Sequence, residues 1–274
     1  MHTMITIARQ ELLINIRNKW TVIFAVVFGT LVVGISCFGI MAEGFSGMQN
    51  FTRTSASLLN LVLYVVPLVA LTMGTLSFTG DKGSMELLCS QPVSRKQVVL
   101  GKLLGVFGSM TLSTLIGFAA AGVVIAASTG GGGVLRYASF VLLSLLLSLV
   151  FLSISVLVAT SSGRKAKAFG VALFLWFFFV LLYDLLALGA TMMLKGRPAN
   201  LVLFFSLLGN PVDMVRVASL ILLDNVAIFG SAGAALLRFF GGGASSLSLL
   251  IGALALWIVL PLAAAQRMLR RQDI

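Results

Sequence analysis

Asp81-Lys82-Gly83-Ser84-Met85-Glu86-Leu87-Leu88-Cys89-Ser90-Gln91-Pro92-Val93-Ser94-Arg95-Lys96-Gln97-Val98-Val99-Leu100-Gly101-Lys102 is a polar interruption between two long apolar runs. The flanking runs, about 57–79 and 103–127, each meet the roughly 20-residue length needed to cross the hydrocarbon core of a bilayer. The interruption has its own local grammar. Asp81 or Ser84 can cap a short helix that carries Met85, Leu87 and Leu88, and Pro92 stops that helix. Ser94 opens the next one, and Ser94-x-x-Gln97 has the form of a capping box, in which two side chains satisfy orphan backbone N–H groups at a helix start. A short helix with a small apolar face, held between two membrane spans, is a handle that a soluble partner can grip.

The rest of the chain agrees with that reading. Of 274 residues, 59% are apolar and only 10% charged, and the mean hydropathy is +1.10; a soluble domain carries about 25% charge. The expected fold class is therefore all-α integral membrane, since helices satisfy their own backbone hydrogen bonds in lipid. A single transmembrane domain covers 1–274. Its spans are expected at about 20–42, 57–79, 103–127, 138–160, 168–192 and 246–266. The net charge of +11 is sparse and clusters at span ends, so membrane topology explains it without nucleic acid. Arg9, Arg17, Lys19, Lys82, Arg95, Lys96, Lys102, Arg164, Lys165, Lys167, Arg267, Arg270 and Arg271 fall on one side. Arg53, Arg136, Lys195, Arg197, Arg216 and Arg238 fall on the other. The positive-inside rule then places both termini in the cytoplasm. No short cleavable signal precedes the first span.

Between the spans the segments differ in kind. Residues 1–19 carry Ile5, Ala8, Leu12 and Ile16 at helical spacing, as in an amphipathic helix lying on the cytoplasmic membrane face, with Trp20 as an interface anchor. Residues 43–56 form a short outer loop, and Thr129–Gly133 an outer turn. Residues 193–245 are too long and too apolar for a simple loop, yet Asp213, Arg216, Asp224 and Asn225 spoil any clean span. They are expected to form two short helices folded on or into the outer face, broken at Asn210-Pro211, because a pre-proline position disfavours helix. Asp213 and Arg216 stand three apart and can pair on one helical face.

Few residues can carry chemistry. His2 is the only histidine, which removes His-based nucleophilic sites and His metal clusters. Cys37 and Cys89 give neither a disulfide framework nor a zinc site. Met41, Met48, Met192, Met193 and Met214 lie near the expected outer face without a tight Met-x-Met cluster, the pattern of packing filler rather than of a copper site. No nucleotide-binding motif occurs: the glycines at 130–133 lack a following Gly-Lys-Ser/Thr, and so does Gly101-Lys102. Asp184 is the one acid well inside an expected span. At about 1.5 Å per residue from Lys167 it lies roughly 25 Å into a core about 30 Å thick. An intramembrane carboxylate is a functional-site candidate by default, and two roles stand open for Asp184: structural pairing, or lining a transport path.

The run Gly83-x-Met85-Glu86-Leu87-Leu88-x-Ser90-x-Pro92-Val93-Ser94-Arg95, followed by Gly101-Lys102, resembles the cytoplasmic coupling segment of ABC-2-type transporter permeases. Cys89 and Gln91 stand where that family carries apolar residues. Asn210-Pro211-Val212-Asp213-x-x-Arg216 is similar to a recurring motif of its extracytoplasmic re-entrant helices, and residues 1–19 resemble its interfacial elbow helix. The resemblance implies a half-transporter that pairs with a second copy of itself and binds two cytoplasmic ATPase subunits. ATP and Mg would be held by those subunits and no cofactor by this chain. Met85, Glu86, Leu87, Leu88, Pro92, Val93, Ser94 and Arg95 would dock on the ATPases; Asp184, Asp213 and Arg216 would lie in a transport path or an outer structural site. Chain length, the wording of 81–102 and 210–216, and the Gln266–Ile274 tail further resemble membrane subunits of bacterial inner-membrane ABC complexes that mature the copper centres of nitrous oxide reductase. That implies a periplasmic copper-site accessory protein as a partner, served either by export of a sulfur species or by transmitted ATP-driven motion. The alternatives are an ABC-2 exporter of a peptide, antibiotic, lipid or sodium ions, and a mechanical transducer that moves no solute.

Overall fold

The structure is a computed structural model that describes residues 2–41, 47–79, 94–129, 134–193, 197–223 and 243–271. Among these residues the chain is helical. α1 is His2–Ile16, α2 Lys19–Met41, α3 Gly47–Thr79, α4 Arg95–Thr129 and α5 Val134–Ser161. α6 runs Lys165–Met193 with a π-helical turn at Phe178–Leu182, α7 is Arg197–Gly209, α8 Pro211–Leu222 and α9 Gly243–Arg271. Six of these helices (α2 to α6 and α9) are long and apolar enough to cross a membrane.

One boundary differs from the sequence reading. Residues 47–56, expected in an outer loop, are the first turns of α3; no Gly or Pro occurs between Gln49 and Val66 to stop a helix there. α4 begins at Arg95, directly behind Ser94, where the sequence opens a helix ahead of the span at about 103–127. The Ser94 Oγ accepts from the Gln97 N–H at 3.4 Å, and the Gln97 Oε1 accepts from the Ser94 N–H at 3.2 Å, the reciprocal pair of a capping box.

α5 is the centre of the bundle. Of its most apolar stretch 72% is buried within the chain, against 17% for the corresponding stretches of α6 and α9. It packs against α3 on one side and α9 on another, with Phe140, Leu147, Phe151 and Leu152 fully buried. Its serines raise an obvious objection, since an unpaired hydroxyl in an apolar core is costly. Ser144, Ser148, Ser153 and Ser155 each answer it by donating to a carbonyl of α5 itself at 2.7 to 2.8 Å. They are small, internally satisfied packing residues. A chain of edge-on aromatic contacts, Phe28 to Phe118 and Phe118 to Phe140, joins α2, α4 and α5. Such pairs add to what area burial alone supplies. Outward faces of α2, α6 and α9 carry exposed Val22, Val26, Phe174, Leu185, Leu256 and Leu260, as spans that meet lipid or another subunit require.

α1 lies against α4 through a face that shares Ala8 and Leu12 with the apolar stripe. Ile5 and Ile16 are exposed; Ile7 and Asn15 are buried, with Ala8, Glu11 and Leu12 partly so. The reason is steric. Gly101, Gly105 and Gly108 form a stripe of small residues on α4. A Cβ on Gly101 would stand 2.9 Å from the Met4 carbonyl oxygen, and one on Gly105 2.6 Å from the Ala8 carbonyl oxygen. Backbone meets backbone there, which only glycine permits. Overpacking this contact with Gly105→Leu is expected to cost about 1–3 kcal/mol and to unseat α1. Trypsin cleavage after Arg9 in intact membranes should then accelerate; an unchanged rate would contradict the close packing.

Candidate functional site

The residues singled out for docking divide across the described boundary. Met85, Glu86, Leu87, Leu88, Pro92 and Val93 lie outside the described residues. Ser94 is the cap described above, and Arg95 is the first residue of α4.

Asp184, Asp213 and Arg216 come together. The backbone creates the need for them. Helix α7 ends at Gly209 and α8 starts at Pro211, with a 105° bend between the two. A break of that kind leaves the last carbonyls of α7 and the first N–H groups of α8 without helical partners. Pro211 has no N–H to satisfy, which suits the first helical position. Asn210, fully buried and in extended backbone, caps α8 through its Oδ1, which accepts from the Val212 N–H at 3.0 Å. At the end of α7 the Tyr183 hydroxyl donates to the Ser206 carbonyl at 2.9 Å. The Trp257 Nε1–H donates to the Leu208 carbonyl at 3.1 Å. Gly209 makes room for this: a Cβ there would collide with the Tyr183 hydroxyl.

The same asparagine also repairs α6. In the π-helical turn the Tyr183 N–H bonds back to the Phe178 carbonyl, five residues away, and so passes over Phe179, its usual partner at i−4. The Asn210 Nδ2 donates to that freed Phe179 carbonyl at 2.9 Å and to the Asp213 Oδ2, also at 2.9 Å. The Arg216 Nη1 reaches Asp184 Oδ2 at 3.0 Å and Asp213 Oδ1 at 2.5 Å. The i,i+3 spacing places Asp213 and Arg216 on one face of α8, and Arg216 carries the link across to α6. Asp213 is the more enclosed carboxylate, its side chain 17% exposed against 37% for Asp184. The arrangement is a polar brace. One guanidinium and one carboxamide fasten the bent pair to α6, while Trp257 fastens it to α9.

Asp184, Asp213 and Arg216 were legible as candidates, whereas Tyr183, Trp257 and the carbonyl of Phe179 were not. The available signal was chemical: Tyr and Trp in an apolar interior need partners for O–H and N–H, and a pre-proline break exposes carbonyls. Met214, grouped by sequence with the outer methionines, is fully buried and packs in the core. Met192 and Met193 are exposed at the end of α6. A second cluster, around Glu11, had no place in the sequence reading. Its carboxylate Oε1 accepts from the Ser77 hydroxyl at 2.6 Å and from the Asn15 Nδ2 at 3.1 Å. It lies 3.7 Å from the Lys102 Nζ.

A multi-span helical bundle with a broken, polar-braced helix pair before its last span is the build of a membrane permease. Residues 5–274 match the family described as ABC-2 family transporter protein; the chain belongs to that family. It is 37% identical over 275 residues, 98% of each chain, to the "Probable ABC transporter permease protein NosY" of Pseudomonas aeruginosa. It is 35% identical over 226 residues, 80% of this chain and 82% of the relative, to the protein of the same name from Stutzerimonas stutzeri.

Arg216→Ala would leave two carboxylates facing each other without their cation. The expected loss is about 2–3 kcal/mol, the scale of hydrogen bonds to charged groups, read as a lower thermal midpoint in detergent. Adding Asp184→Ala should recover part of that loss, since removing both partners of a pair costs less than stranding one. Strictly additive losses would show that the two side chains are not coupled.

Proposed function

We propose that the chain is the membrane subunit of an ATP-driven complex in the bacterial inner membrane that supports assembly of the copper centres of nitrous oxide reductase. The near full-length identity to the permease from Pseudomonas aeruginosa carries this reading, together with the resemblance of residues 81–102, 210–216 and 266–274 to membrane subunits of such maturation complexes. Two copies pair, and their exposed apolar faces on α2 and α6 offer the surface. Two cytoplasmic ATPases, which hold ATP and Mg, dock on Met85 to Leu88 and Pro92 to Arg95. A periplasmic copper-site accessory protein docks at the opposite end, near α7 and α8.

The energetic requirement is strict. ATP moves the spans only insofar as the ATPases contact residues 81–102 differently in their ATP-bound and ATP-free states. At the other end the brace makes α7 and α8 follow α6, because Arg216 and Asn210 bridge the two. Motion delivered to α6 then reaches the outer surface without requiring a wide polar channel. Asp184 and its partners serve this reading as a force-bearing brace and the export reading as a lining of the path.

Purification of the tagged chain from native membranes in mild detergent should retain an ATPase and a periplasmic copper-site protein. An ATPase without the periplasmic protein would favour export of another cargo, and loss of both would overturn the assignment. Glu86→Arg should leave membrane insertion intact and reduce ATPase retention at least about tenfold, the effect of placing a like charge in a docking face. Normal retention would remove residues 85–95 from the docking surface.

A further inference from the structure

The segment from 80 to 93 is joined to the bundle at two stems, the last turn of α3 and the first turns of α4. Both stems touch one side chain on a third helix. Glu11 of α1 accepts from Ser77, two residues before the end of α3, at 2.6 Å, and pairs with Lys102 of α4 at 3.7 Å. Asn15, one turn further along α1 and 4% exposed, holds the carboxylate at 3.1 Å while also donating to the Glu11 carbonyl at 2.9 Å. The Glu11 and Lys102 side chains are each only 14% exposed. The Lys102 Nζ in turn sits 5.7 Å from the centre of the Phe78 ring, a cation–π distance that ties α4 to α3 a second time.

This placement is more than packing. Charged side chains are rarely buried unless paired, and α1 could seat on the glycine stripe of α4 with an alanine at position 11. The stripe sets how deeply α1 sits: at Gly105 an added Cβ would be 2.5 Å from the Cβ of Glu11. Glu11 therefore reaches both stems from a backbone position that is itself sterically fixed. Hydrogen bonds to a carboxylate are directional and roughly twice as strong as neutral ones. A short one at Ser77 and an ion pair at Lys102 thus define a spacing between the two stems.

We propose that Glu11 is the positioning residue of the coupling device: it locks the stems of residues 80–93 to each other through α1, so that a push on the segment moves α3 and α4 as one body. The proposal rests on the reading of that segment as the ATPase-docking element. Without the lock the same push would be absorbed by separation of the stems.

The test uses the complex with its ATPases in lipid nanodiscs. Spin labels on Leu135→Cys and Met193→Cys, in a background with Cys37 and Cys89 replaced by serine, report the distance between the far ends of α5 and α6 with and without ATP. In Glu11→Ala the ATPases should co-purify in wild-type amount and hydrolyse ATP. The fraction of complexes showing the ATP-driven distance change should fall about tenfold, the scale of one lost hydrogen bond to a charged group. Glu11→Gln keeps an acceptor for Ser77 but not the charge that pairs with Lys102, so its response should fall between those of the wild type and Glu11→Ala while ATP hydrolysis stays at the wild-type rate. A wild-type distance change in Glu11→Ala overturns the proposal. If that variant does not accumulate, Ser77→Ala removes only the 2.6 Å bond, and an unchanged response there overturns it equally. Absence of ATPase from the wild-type complex would instead overturn the docking reading, and this proposal with it.

Discussion

Every backbone N–H and C=O in the hydrocarbon core must find a partner within the protein, and the break between α7 and α8 is where this chain meets that demand with side chains. A 105° bend in an apolar setting strands carbonyls on one side and N–H groups on the other. Asn210 serves three groups at once: the Val212 N–H, the Phe179 carbonyl and Asp213. Tyr183 and Trp257 take two of the stranded carbonyls of α7. The π-helical turn in α6 is part of the same solution, because it presents the Phe179 carbonyl that Asn210 needs. Removing any member leaves another group unpaired, so the bend, the turn and the charged trio form one unit.

That unit has a mechanical consequence. α6 and α9 are the least buried of the six long helices, and each is tied to the bent pair by a directional bond rather than by packing alone. α5, by contrast, is held by extensive apolar contact and its serines bond only to their own helix. The bundle thus has a packed centre and a periphery fastened by polar links. The hydrophobic driving force is non-directional, whereas hydrogen bonds depend steeply on angle. Such a division is compatible with the proposed relay of motion from one end to the other.

The opposite end follows the same logic with different residues. α1 lies on glycines of α4 closely enough for backbone contact, and that closeness lets a side chain as short as glutamate reach α3 and α4 together. Trp176 on α6 likewise donates to the Tyr64 carbonyl of α3 at 2.9 Å, three residues before Pro67, which lies inside that helix. The indole N–H of Trp176 and the buried serine hydroxyls of α5 are thus spent on main-chain carbonyls, whereas the Thr21, Thr75 and Thr111 hydroxyls are buried without a hydrogen-bond partner.

Helical class, the six spans and the position of the break at Asn210-Pro211 were all legible in the order of residues, because each depends on local physics: hydropathy over about 20 residues, the missing N–H of proline and the capping preference of Ser94. The pairing of Asp213 with Arg216 was legible for the same reason, being a matter of helical period. What no local pattern could supply was the face of α1 that packs, the partnership of Asp184 with Arg216, and the meeting of Glu11 with Ser77 and Lys102. These contacts join residues 32 to 91 positions apart. Their existence depends on where the glycine stripe of α4 lets a neighbouring backbone approach and on how far the bend swings α8 toward α6. Distances between helices are set by shape, and shape appears only when the helices are assembled.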